Sequence, residues 1–335
     1  MDFQLPIQLQ PLQQPVTYRD KLLLAGSCFT EHIGDKLQEL KFNVLQNPNG
    51  ILFDPASVAA ALVSYVQNRQ YTVNDLFQLN EVWQSWQHHS RFSNINQQEC
   101  LAAINASQQR AHQFLKQAQW LVITLGTSFS YRLTEQSPAE IRKGNVAVAN
   151  CHRAPGGWFN KHLMTIEEIN SVLDNCIHQL FHFNPSLKII FTVSPVRHVR
   201  DGVVDNNRSK ARLIEVVHHL VNKFDRLYYF PAYELVIDVL RDYRFFDVDL
   251  VHPNYPATQF VLEKFMEYGV HPASRVLAEE IRKLVIARKH KAFHPATEAH
   301  AKFLQAHLVK ARELQEQYPF LSLQEEIEYF QGSKL

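Results

Sequence analysis

Short apolar runs alternate with longer stretches of helical periodicity over most of this chain. Leu22-Leu23-Leu24-Ala25 predicts a buried strand ending at the turn Gly26-Ser27, after which Phe29, Ile33, Leu37 and Leu40 recur at helical spacing. Val44-Leu45 predicts a weaker second strand. The turn Asn47-Pro48-Asn49-Gly50 follows, then a helix over 55–67 with Asp54 as N-cap and Pro55 at its first position. The stretch 73–93, which holds Trp83 and Trp86, reads as an insertion with short strands, and 97–115 as a helix. Trp120-Leu121-Val122-Ile123-Thr124-Leu125 is the clearest buried strand and ends at Gly126. A loop-rich section over 134–157 carries Asn150-Cys151-His152. Helices over 165–181, 209–223, 233–240 and 256–268 then alternate with strands at Leu187–Val193 and Leu227–Phe230.

Strands separated by helices imply βαβ crossovers, and so an α/β fold with a parallel sheet covered on both faces. Beyond Pro272 the pattern becomes helical and charged, with helices expected over 278–290 and 297–317. The reading is a catalytic domain over 1–271 and a helical extension over 272–335, suited to packing or to oligomerisation.

Composition narrows the function classes. The 335 residues include 34 Lys+Arg and 33 Asp+Glu, a formal net charge of +1. That balance argues against a nucleic-acid partner, which needs a basic face. At 46% hydrophobic and 20% charged residues, disorder is set aside. Cys28, Cys100, Cys151 and Cys176 lie far apart with no CxxC pair, so neither a zinc site nor a disulfide framework is expected. No metal or cofactor is expected. The opening residues lack a basic segment followed by an apolar run, and no run reaches spanning length. The expectation is a cytoplasmic protein without a membrane partner.

In an open parallel sheet, reactive groups gather beyond the carboxyl ends of the strands. Those positions hold Ser27, Gly50, Gly126-Thr127-Ser128, Ser194, and the loop with Asp249 and His252. Ser27 fits a nucleophile at a helix start, where backbone N–H groups favour an oxyanion; it equally fits a helix N-cap. Asp249-Leu250-Val251-His252 is spaced so that one tight turn sets the carboxylate beside imidazole Nδ1, leaving Nε2 for the hydroxyl. The bland alternative is a turn-capping Asp beside an incidental His. Cys28 is a rival nucleophile, although a free Cys is more often a small buried hydrophobe.

Leu24-Ala25-Gly26-Ser27-Cys28-Phe29-Thr30-Glu31 resembles the signature of the GSCFA family, itself related to the SGNH (GDSL-type) hydrolases, with Thr30 in place of Ala. The segments Asn47–Leu52, Leu125–Ser128, Asn150–His152, Ser194–His198, Leu240–Phe245 and Asp249–Pro253 resemble that family too, in the same order. The resemblance implies a three-layer α/β/α, flavodoxin-like fold. It implies Ser27 as nucleophile, His252 as base and Asp249 as its orienting acid. The oxyanion hole would come from Ser27, Gly50 and Ser128. SGNH hydrolases usually carry an Asn where Ser128 stands, so Ser128 or Asn150 is expected to replace it. His89, Asn150, Arg197 and His198 are candidate substrate contacts.

These expectations point to a serine hydrolase or acyltransferase acting on a small-molecule acyl ester, such as an acetylated carbohydrate. The alternative is a binding protein that keeps the pocket while catalysis has weakened.

Overall fold

Every residue of Trp120–Leu125 is buried, as expected of a strand with helices on both of its faces. The computed structural model describes residues 5–142 and 148–332. The opening four residues of the amino-terminal expectation, residues 143–147 of the expected loop and the last three of the extension lie outside the described residues.

The central sheet contains β1 (Lys21–Gly26), β2 (Asn43–Gln46), β5 (Trp120–Leu125), β8 (Lys188–Val193) and β9 (Leu227–Tyr229), in the order β2-β1-β5-β8-β9. All four pairings are parallel, with Gly26 opposite Thr124 and Leu125 opposite Val193. Chain order reverses between β1 and β5, and such a switch point opens a crevice beyond the strand ends.

Side chains alternate between the faces with the period of two that a strand imposes. Leu22, Leu24, Trp120 and Val122 join one core with α1 (Cys28–Glu39) and α7 (Tyr255–Gly269). Leu23, Ala25, Leu121 and Ile123 join the other, with α2 (Pro55–Gln67), α3 (Gln97–Gln117), α4 (Ile166–Phe183) and α5 (Val203–Lys223). The result is a three-layer α/β/α arrangement. Two antiparallel hairpins decorate it: β3 (Phe77–Leu79) with β4 (Val82–Gln84), and β6 (Phe129–Leu133) with β7 (Phe159–Leu163). The loop expected over 134–157 connects the strands of the second hairpin.

Two helices differ from the sequence reading. Helix α5 begins at Val203 rather than near 209, because its first turn exposes Val203 and Val204 and so shows no apolar stripe. The helix expected over 233–240 is α-helical only over α6 (Ala232–Glu234), then widens into a π-turn at Leu235–Leu240. The extension has no core of its own. Helices α8 (Pro272–Lys289), α9 (Glu298–Gln317) and α10 (Gln324–Phe330) bury Ile281, Leu284, Leu314 and Phe330 in the same cluster as α1 and α7. The fully buried Glu326 on α10 pairs with Lys41 Nζ at 2.9 Å and with Arg288 Nε at 3.2 Å. Among the described residues, no helix is long and apolar enough to cross a membrane.

Candidate functional site

The β1–α1 junction is fixed by close backbone approach. Gly26 adopts φ +141°, and a Cβ there would lie 2.1 Å from the Thr124 carbonyl oxygen, so only glycine fits. Its N–H donates to Asn47 Oδ1 at 2.9 Å, and its carbonyl accepts from Leu52 N–H at 2.9 Å. Asn47 Nδ2 also donates to Glu31 Oε1 at 3.1 Å, and Glu31 pairs with Arg91. The turn ending at Gly50 is thereby sewn to the start of α1.

Ser27 follows at the N-cap position of α1, only 1% exposed. Its hydroxyl makes no capping bond, and Oγ has no hydrogen-bond partner at all. A buried hydroxyl left unpaired costs about 1–3 kcal/mol, so a purely capping role does not account for it. The neighbouring Cys28 thiol is pushed up by burial, an effect only partly offset by the Phe29 N–H, which disfavours the reactive thiolate.

The acid–base pair lies on a separate loop. Asp249 Oδ2 is 2.6 Å from His252 Nδ1, while Oδ1 accepts the N–H groups of Val251 at 2.9 Å and His252 at 3.0 Å. The His252 N–H, the imidazole and the Val251 N–H pull the Asp249 carboxyl down to about 2. Leu250 takes φ +58° to close the turn. Asp247 N–H donates to the His252 carbonyl, and Arg197 N–H reaches the Val251 carbonyl from the end of β8. Asn254 caps α7 and donates to the Arg244 carbonyl at 2.7 Å, so the corner at 241–244 supports this loop as its sequence suggests. The side chains of His252 and Asp249 are 44% and 49% exposed.

Chain folding thus sets the Ser27 turn and the Asp249–His252 loop at the carboxyl edge of one sheet. It does not join serine and imidazole, because Ser27 Oγ lacks any hydrogen-bond partner. Catalytic hydrogen bonds commonly tighten only in the substrate complex.

The expected oxyanion donors need correction. Ser27 N–H donates to the Thr124 carbonyl at 3.1 Å, and Gly50 N–H closes its own turn on the Asn47 carbonyl at 2.7 Å. Ser128 is fully buried, and its hydroxyl donates to the Ser209 carbonyl at 3.1 Å while its N–H donates to Ser209 Oγ at 2.7 Å. Buried amides pair wherever an acceptor is near; tertiary contacts supply it for Ser27 and Ser128, and the local turn supplies it for Gly50. Asn150 closes a local turn, its Oδ1 accepting from His152 N–H at 2.9 Å.

The candidate contact residues divide. His89 packs against Gly50, where an added Cβ would sit 2.2 Å from the His89 Cβ, and burial followed by Arg91 lowers its pKa. His198 sets its ring edge against Phe53, 5.7 Å between centroids, and Phe53 lends its carbonyl to Gly126 and Thr127. Arg197 instead stacks over Phe246 at 4.6 Å and Tyr243 at 5.3 Å, beneath the histidine loop. Among the described residues no cluster of three or more His, Cys, Asp or Glu could hold a metal.

Glu31, Asn47, Arg91 and Lys210 escaped the sequence reading. Lys210 is 1% exposed and donates to the carbonyls of Gly126 at 2.5 Å and Ser194 at 2.6 Å. Its signal was its place on the apolar stripe of α5 with Leu213 and Val217, where a lysine is out of register.

The sheet order and the two polar turns at its carboxyl edge define a doubly wound α/β protein with a serine and an Asp–His pair at the strand ends. The GSCFA family model matches residues 21–265, and the chain belongs to that family. A second model, the C-terminal domain of GSCFA domain proteins, matches residues 281–333. No curated protein matches the chain.

Proposed function

We propose that the protein is a serine-dependent acyl hydrolase or acyltransferase of the SGNH type, acting on a small acyl ester. The observation that carries this reading is the Asp249–His252 pair. Its 2.6 Å contact fixes the proton on Nδ1 and leaves Nε2 free to accept one. The unpaired, buried hydroxyl of Ser27 at the sheet's switch point supports it.

In this mechanism Ser27 Oγ bonds to the acyl carbon, the carbonyl electron pair moves onto oxygen, and the hydroxyl proton passes to His252 Nε2. Asp249 holds the resulting imidazolium in place. The carbonyl then re-forms, and the departing alcohol takes the proton from His252. Water or a second alcohol repeats the sequence on the acyl-enzyme. Productive transfer requires the exposed histidine loop to close on the buried serine as substrate enters.

A second reading has its own support. The engaged N–H groups of Ser27 and Gly50 and the inward Ser128 suit a binding protein with weakened catalysis. Incubation with a fluorophosphonate and mapping of the adduct by mass spectrometry separates the two. Labelling at Ser27 that disappears in His252→Ala supports the enzyme. A folded protein that never labels supports the binder.

A further inference from the structure

Lys210 places a fully buried amine at the crevice. Its Nζ bridges the carbonyl ends of β5 and β8, held by Gly126 and Ser194. No carboxylate among the described residues acts on it. The titratable groups that face it are Cys28 on α1, which senses its charge, and Tyr233 on α6, whose ring centroid is 5.9 Å away. Two of the three N–H bonds of the ammonium are used, and the third finds no acceptor among the described residues. A buried charge held this way is expensive, and a nearby anion would repay the cost.

The serine end of the crevice has the opposite shortage. An anion forming there finds the amides of Ser27 and Gly50 already engaged and Ser128 facing Ser209. Ser27 ends the strand beside β5, and its own N–H rests on the Thr124 carbonyl, two residues before Gly126.

We propose that Lys210 is the counter-charge of the crevice, stabilising negative charge that develops at Ser27 in place of the occupied amide donors. The proposal rests on Ser27 as the reacting residue. Lys210 stays protonated while the carbonyl electron pair moves onto oxygen and back, so it neither gains nor loses a proton in the cycle. Burial pulls its amine down to about 7, and an adjacent anion restores its hold on the proton.

The test reads the field at position 27 without relying on activity. In a full-length Ser27→Cys, Cys28→Ala protein, thiol ionisation is followed by ultraviolet thiolate absorbance, with Lys210 present and with Lys210→Met. The remaining thiols are pushed up by burial, Cys151 to about 11, Cys176 to about 12 and Cys100 in the same direction, so they ionise later. Below about pH 7, where Lys210 keeps its proton, the thiolate fraction at 27 should be about tenfold larger with Lys210 present than with Lys210→Met, the scale of a close opposite charge. Equal ionisation in the two proteins overturns the proposal.

Should Lys210→Met fail to fold, the reciprocal measurement uses native Lys210. Its amine, followed by NMR, should titrate about one pH unit higher in a Ser27→Asp protein, whose carboxylate is charged throughout that range, than in wild type; an unchanged titration overturns the proposal. A shifted thiol combined with no fluorophosphonate labelling of wild-type Ser27 would keep the counter-charge and discard the acyl-transfer reading. Labelling without a shifted thiol would do the reverse.

Discussion

The two ends of the proposed proton transfer are built in opposite ways. Ser27 is enclosed by the sheet, with its backbone locked to Thr124 and its hydroxyl unpaired. His252 stands on an exposed loop whose shape comes from one aspartate accepting three hydrogen bonds within four residues. The serine end is a product of tertiary structure, and the histidine end is a nearly autonomous turn. Damage to the packed backbone of the first should spread into stability, whereas damage at the second should stay within the chemistry.

The largest effect that would test this contrast is on rate. His252→Ala should slow fluorophosphonate labelling of Ser27 by about 10⁴-fold, the scale of losing a triad member, with thermal stability unchanged. A fall in melting temperature alongside the rate would erase the contrast.

Next comes Gly26→Ala, which forces a Cβ against the Thr124 carbonyl at a φ that L-residues avoid. It should cost about 3 kcal/mol or more in denaturant unfolding.

Ser27→Ala sharpens the comparison further. A capping serine would cost about 1 kcal/mol on replacement. Removing an unpaired buried hydroxyl should instead leave stability unchanged or raise it by about 1 kcal/mol, while labelling vanishes.

The smallest effect concerns acid. The folded Asp249 carboxyl lies at about 2 against an ordinary value of 3.8, so the folded loop binds fewer protons between them. Its contribution is complete above the ordinary value and is lost as pH falls through about 2. Hydrogen exchange at the Val251 and His252 amides should therefore stay slow at a pH near the ordinary carboxylate value and quicken only below the folded one. Early loss of protection would mean that the carboxylate does not hold the turn.

How much the sequence revealed follows the same division. Strands covered on both faces appear as continuous apolar runs, so β1, β5 and β8 were legible nearly to the residue. The Asp249–His252 contact was legible because a spacing of three closes within one turn. Engagement of the oxyanion candidates was not, since the partner of Ser128 lies 81 positions away and only folding brings it near. Lys210 was hidden by its neighbours Ser209 and Arg212, which make the segment look like a solvated helix face. Thr30, which stands where the family signature has Ala, is buried with an unpaired hydroxyl, as is Thr192 across a small shared cavity. Residue identity alone does not reveal that pairing.

Glu326 carries a consequence for biosynthesis. Its carboxylate is sealed between Lys41 and Arg288, and the helix that bears it packs on α8 and α9. A ribosome makes that covering after the surface it covers. Until α10 emerges, the nascent chain therefore carries an uncovered greasy flank and two cations awaiting their acid. Chains stalled or cleaved before α10 should be the species that chaperones retain and proteases remove.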